Sequence, residues 1–471
     1  MSDVPDELVT SSSGLTRQEL LRRGAAGAFA VSMFGGLADK AFGFYGPLKY
    51  ARKQLSGELR ILQWAHFVPS YDQWLDNTYI KQWGEKNDVD VKIDHINNAF
   101  LFSTASAEVA AQSGHDLFQF LNPPSSFQKQ VIPLTDIVQE VTKKLGPMSK
   151  VGQRSCYNPK TKQYFGFPDN YAPDPVQYRK SFLQQVGGSL RTWEDVRKMA
   201  PKLKAIGHPV GLGMSNEIDS NMFLISLLYC YGGFIQNEAG RIVFGQGSSR
   251  KGAIQALQLM QDIYKNGMSD EVFAWTAASN NQAFLAGKLS MALNAISIER
   301  SAENSGNTAL SDDSWLASIP RGPVMRMGNE HVMGVYVIWK FAKNRQNAKR
   351  FLVDQQLAYQ THFEKSQFYN FPGWTGAIKG GFKTINKMAA ADPHKPKGKY
   401  TVLTTIAQKY TTNVGYPGYS NAVIDEIFQR YLIPQMFAQV AQGKMTPAAA
   451  VSAMDKQFKQ IHRKWQNQGL V

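Results

Sequence analysis

A chain of 471 residues with 43% hydrophobic residues can bury two substantial cores, and its 19% of charged residues is too low for a disordered or coiled-coil protein. Aromatics reach 12%, with 9 Trp, 19 Tyr and 27 Phe, which favours globular lobes with aromatic-rich clefts. The net charge of +15 is spread thinly, without a dense basic block; it points to an exported protein near an anionic envelope rather than to a nucleic-acid binder, and it leaves an anionic ligand open.

Residues 15–38, "LTRQELLRRGAAGAFAVSMFGGLA", set a basic stretch before a small-residue apolar run too short and too glycine-rich for a membrane span. That is the layout of an export signal, expected over residues 1–38 with cleavage after Ala38 and a linker over 39–56. "TRQELLRRGAAG" resembles a twin-arginine signal, with Gln18 where the second arginine belongs. An ordinary amphipathic helix is the plainer alternative.

From residue 57 strands and helices alternate. "GELRILQWAHFVP" opens as a strand, "YDQWLDNTYIKQWGEKN" reads as an amphipathic helix, "DVDVKIDHI" as a second strand, "LFSTASAEVAAQSG" as a helix and "HDLFQFLN" as a third strand. This spacing predicts a mostly parallel sheet covered by helices, whose ligands lie beyond the carboxyl ends of the strands. Trp64, His66, Phe67 and Asn122 stand at those ends. An extended segment then crosses proline at "FPDNYAPDPVQYRKS", and Thr192 caps a helix with acidic residues in its first turn. Helices are expected over 218–231, 248–267 and 280–287, strands in "KLSMALNA", "SWLASIPRGP" and "MGVYVIWKFAKN", and a helix over 345–365. Residues 366–420 read as loop-rich, and Pro434 as a kink in a C-terminal helix. Cys156 and Cys230 lie far apart without a CxxC motif; one disulfide or two buried thiols both fit the sequence.

"QAFLAGKLSMAL" contains a Gly-Lys pair but is not a phosphate-binding loop: Gln282 and Leu289 stand where a glycine and a hydroxyl are required. Gly287 is instead expected to end a helix in a left-handed cap, and Lys288 to lead into a core strand carrying Met291 and Leu293.

Taken in order, "YFGFPDNYAPDPVQYRKSFLQQVGG", "RTWEDVRKMAPKLKAIG", "NNQAFLAGKLSMALNA", "SWLASIPRGP" and "HVMGVYVIWKFAKNRQNAKRFLVD" resemble the extracellular solute-binding proteins of ABC importers. The likeness is to their carbohydrate-binding, maltose-binding-protein-like branch and covers residues 57–471. Arg179 replaces the usual Asn of a "YNK" triplet, and Leu190-Arg191 precedes Thr192 where Pro is common. The resemblance implies an α/β, periplasmic-binding-protein-like (type II) fold, with two α/β lobes joined by hinge crossovers around a ligand cleft. Lobe 1 is expected over 57–167 and 321–375, lobe 2 over 168–320 and 376–471.

It also implies a cleft in which aromatic faces stack on sugar rings and planar polar groups bind hydroxyls. Carried over by position, the candidates are Trp64, His66, Phe67, Asn122, Asp169, Asn170 and Tyr171 in or beside lobe 1. Ser215, Asn216, Met222, Trp275 and Asn294 come from lobe 2, and His331, Trp374, Tyr416 and Tyr419 complete the set. Trp193 and Trp339 read as core.

Enzyme signatures are weak. The eight histidines show no metal spacing, so no metal or cofactor is expected. "GYSNA" mimics a nucleophile elbow but ends in Ala422. A glycosidase needs two facing carboxylates, and only Asp169 and Asp174 near the hinge offer themselves. The expectation is therefore a monomeric, non-enzymatic binder that hands a sugar or oligosaccharide to membrane ABC permease subunits with a separate ATPase, without nucleic acid. A secreted polysaccharide hydrolase or lyase, or an envelope scaffold, is the alternative. Among ligands, acidic or phosphorylated sugars stay open. A polyamine would need converging carboxylates, for which only Asp169 and Glu217 are at hand.

Overall fold

The computed structural model describes residues 55–471, so the export signal over 1–38 and nearly all of the linker over 39–56 lie outside the described residues. Strands β1 (Gly57–Trp64), β2 (Val89–Ile96) and β3 (Leu117–Phe120) come first, followed by β4 (Phe167–Ala172). The chain then runs into β5 (Val176–Arg179), β6 (Val210–Gly211), β7 (Met291–Leu293) and β8 (Ser314–Ala317). It returns for β9 (Val332–Ile338) and β10 (Phe371–Pro372). These strands form a six-stranded sheet, in the order β10-β4-β9-β3-β1-β2, and a four-stranded sheet, β8-β5-β7-β6.

β1 is parallel to β2 and β3, whereas β9 is antiparallel to β3 and β4, and β10 to β4. The mostly parallel sheet expected from βαβ spacing is thus realised only in the first three strands. β9 arrives from the other sheet and enters the opposite way. It is buried at every residue, as a central strand must be. Gly334 is required there, because a Cβ would come within 2.5 Å of Asn170 Nδ2.

The first passage between sheets is Pro173-Asp174-Pro175, where the prolines keep the backbone extended. Phe167–Ala172, just before this passage, is a strand of the first sheet, paired to β9. The chain passes back between β8 and β9 and leaves the first sheet again after β10.

Helix Ile218–Tyr231 is buried at every position, with Asp219, Ser220 and Asn221 in its first turn and a mainly apolar run beyond. Thr192 and Asp195 form a reciprocal capping box on helix Trp193–Ala205. Gly287, at φ +73°, closes helix Ser279–Leu285, and the Gly287 and Lys288 N–H groups donate to the carbonyls of Phe284 and Ala283. The Gly-Lys pair is structural.

The 345–365 helix is broken at Ala358 into Arg345–Leu357 and Tyr359–Lys365. The loop-rich stretch holds a helix, Gly381–Ala391. Pro434 kinks nothing: it lies in the first turn of helix Leu432–Ala441, where its missing N–H costs no bond, and the break falls at Tyr431 with φ 52°. Cys156 and Cys230 are buried free thiols. Trp193 and Trp339 are core, and no helix among the described residues is long and apolar enough to cross a membrane.

Candidate functional site

The parallel strands β1, β2 and β3 end on one side of their sheet and present Phe67, Asn97-Asn98 and Asn122 there. Asn97 caps the turn that follows β2 by accepting the Ala99 N–H, and helix Leu101–Ala111 starts just beyond. Facing them are Asn216, Glu217 and Ile218 at the start of the buried helix, Trp275 to Ala278, and Phe428, Gln429 and Tyr431 from the C-terminal region. Together they enclose a cavity of about 380 Å³ between the two sheets, within the range of small-molecule sites.

Its walls are aromatic (Phe67, Phe100, Phe102, Phe120, Trp275, Phe428, Tyr431) and amide-bearing (Asn97, Asn98, Asn122, Asn216, Gln429). No lysine, arginine or histidine is among the described lining residues, and Glu217 is their one carboxylate. Burial raises Glu217 to about 8, and its oxygens accept the Asp219 and Ser220 N–H groups at the helix start.

Of the residues singled out from sequence, the cavity brings together Phe67, Asn122, Asn216 and Trp275. Trp64 and His66 stand behind Phe67, with ring centroids 5.4 Å (Trp64–Phe67) and 4.7 Å (Trp64–His66) apart. His66 Nδ1 accepts the Val68 N–H, so Nε2 donates to Asn370 at 3.2 Å; burial lowers this imidazole to about 4 and keeps it neutral. Ser215 donates to the Trp275 carbonyl at 2.6 Å and fixes the loop that carries the indole.

A second group lies where the chain passes between the sheets. His331 is held by Asp174 at 3.2 Å and by Asp219 at 3.2 Å. Burial alone would depress the imidazole, but the two carboxylates outweigh it and raise His331 to about 10. Asn280 and Asn294 donate to the same Asp219 carboxylate, and Asn294 also reaches Asn281. Asp169, raised by burial to about 7, is held by Asn170 at 2.6 Å and Gln356 at 2.8 Å.

The remaining candidates face elsewhere. Trp374 is fully buried against Phe167, with Nε1 donating to Thr142. Met222 is inside its helix bundle, Tyr171 packs on Phe371, and Tyr416 and Tyr419 pack on Tyr229 and Tyr157. Sequence reasoning missed Asn97, Asn98 and Phe100, although the strand-end rule that picked Trp64 and Asn122 applies equally to β2. Gln429 and Tyr431 carry no local signal, since only tertiary packing brings a C-terminal helix end to the cavity. Glu303, Asp392 and His394 converge within 4.8 Å elsewhere, but Arg300 and Lys399 already pair with the two carboxylates.

T. maritima MalE3 with bound maltose superposes with a TM-score of 0.69 at 17% identity, covering 86% of this chain and 100% of that one. The Streptomyces glaucescens GacH receptor, solved unliganded and with acarbose, gives 0.68 at 16%, covering 86% and 98%. A sugar transporter from Arthrobacter chlorophenolicus A6 with laminaribiose gives 0.66 at 17%, covering 86% and 99%. At these identities the likeness is one of fold: two α/β lobes joined by hinge crossovers. No curated protein sequence matches significantly. Residues 78–360 match the family described as bacterial extracellular solute-binding protein, and with more than half of its length matched the chain belongs to that family.

Proposed function

We propose that this protein captures an uncharged sugar or oligosaccharide in the cavity between its lobes, outside the cytoplasmic membrane, and delivers it to an ABC permease without chemical change. The observation that carries this reading is a cavity walled by aromatic rings and side-chain amides, with no basic group among its described lining residues. A pyranose has an apolar C–H face and a polar rim, which rings and fixed amides match. The bound sugars of the structural neighbours support the same class. A phosphorylated or acidic sugar would meet no cation among the described lining residues, so the chain's positive charge serves something other than the ligand. A glycosidase would need a second carboxylate across the cavity, and the one that lines it is engaged in capping a helix. The lobes assigned to 57–167 with 321–375 and to 168–320 with 376–471, the crossing shifted to 173–175, would close on the solute as a hinged clamp.

The test is titration calorimetry with maltose and laminaribiose on the wild-type protein and on Trp275→Ala. Binding by the wild type and loss of roughly ten- to a hundredfold in the variant are expected, for an aromatic face worth about 1.5–3 kcal/mol. Equal affinities would place the site elsewhere.

A further inference from the structure

Asn122 lines the cavity, and its side-chain amide is held at both ends: Nδ2 donates to Asp425 Oδ1 at 3.1 Å, and Oδ1 accepts from Gln429 Nε2 at 3.0 Å. Asp425 itself does not line the cavity. It sits on helix Ala422–Gln429, fixed by its Asn421 cap, and this helix packs against helices Leu432–Ala441 and Pro447–Asn467, which lie on helix Gly247–Gly267 of the second lobe. From there the carboxylate reaches across to the turn after β3 in the first lobe. Its Oδ2 accepts the Ser126 N–H at 2.8 Å and the Ser126 hydroxyl at 2.6 Å. Counting Gln429 at 3.3 Å, four donors converge on one carboxylate that is 3% exposed.

A buried carboxylate is costly unless its hydrogen bonds are supplied. Three of these four donors belong to the opposite lobe. Parting the lobes here would strip Asp425 of those partners, whereas the approach of a solute adds none to it.

We propose that Asp425 is a positioning residue for solute capture: it clasps the turn after β3 to the C-terminal helix, holds this side of the cleft together and so prebuilds the cavity wall made by Asn122 and Gln429. A protein that is already closed for part of the time binds more tightly, because apparent affinity scales with the competent fraction.

The experiment compares the full-length protein with Asp425→Asn and Ser126→Ala, first without any sugar. Asparagine keeps the shape of the side chain but puts an NH2 where a carboxylate oxygen accepts. Ser126→Ala removes only the hydroxyl donor and serves if the first variant folds poorly. Hydrogen exchange should show the Ser126 amide protected in the ligand-free wild type and deprotected in Asp425→Asn. Solution scattering should show the ligand-free variants more open than the wild type, and the curves should converge in saturating maltose. A residue with a purely structural role would lower the melting temperature and leave the ligand-free scattering curve where it is.

Unchanged ligand-free curves in both variants, or a Ser126 amide that exchanges freely in the wild type, would overturn the clasp. These arms need no ligand, so they stand even if the saccharide reading fails. Where maltose binds, its affinity should fall about tenfold in Asp425→Asn with no contact to the sugar lost.

Discussion

Trp275 and Phe100 differ in what their truncation would remove. Trp275 is 8% exposed in the cavity wall, whereas Phe100 is 61% exposed at the cavity rim beside Phe102. Phe100→Ala should therefore leave the affinity for a monosaccharide nearly unchanged and weaken longer chains that extend over the rim, measured as a calorimetric series of increasing chain length. A uniform loss across the series would mean that Phe100 shapes the cavity itself. At this scale the sequence was partly legible. Phe67, Asn122, Asn216 and Trp275 stand at strand ends or in loops and reach the cavity, as such positions should. Trp374 has small neighbours in sequence like a cleft residue, but its indole N–H finds Thr142 inside the lobe. Whether an aromatic faces a cleft or a core is decided by long-range packing, which local composition does not report.

At the scale of elements, the hinge passages carry a charge-sensitive contact. His331 is raised to about 10 between Asp219 and Asp174, so the folded state holds a proton that the unfolded state releases near 6.5. The stability this contributes is fully present below about pH 6.5 and is lost as pH rises through about 10, with a slope of at most about 1.4 kcal/mol per pH unit. Melting curves should fall between pH 8 and 10 in the wild type and be flatter over that range in His331→Gln. Gly287 offers a simpler test. A Cβ there meets nothing within 4 Å, so Gly287→Ala should cost only the left-handed backbone penalty, about 1 kcal/mol in urea unfolding. The Gly287 cap, the Thr192 capping box and the strand at Met291 were all readable from local sequence, because caps and buried strands have local causes. The helix Gly381–Ala391 was not, since "GGFKTINKMAAA" begins with glycines and lies among turn-like residues. Nor was the direction of β9, which depends on the lobe from which the chain returns.

Across the whole molecule, the order of short motifs disclosed the two-lobed fold although no single motif would have done so. The net charge of +15 is not reflected in the cavity, whose described lining residues include no lysine, arginine or histidine. The measurement that tests the central claim most directly is a melting-temperature panel on the purified protein, with neutral mono- and oligosaccharides, their uronic-acid and phosphate counterparts, and polyamines. A solute at about a hundred times its dissociation constant adds roughly 2.7 kcal/mol of stability. The account predicts a clear upward shift with at least one neutral saccharide and none with its acidic counterparts. A shift confined to the acidic compounds or the polyamines would contradict it.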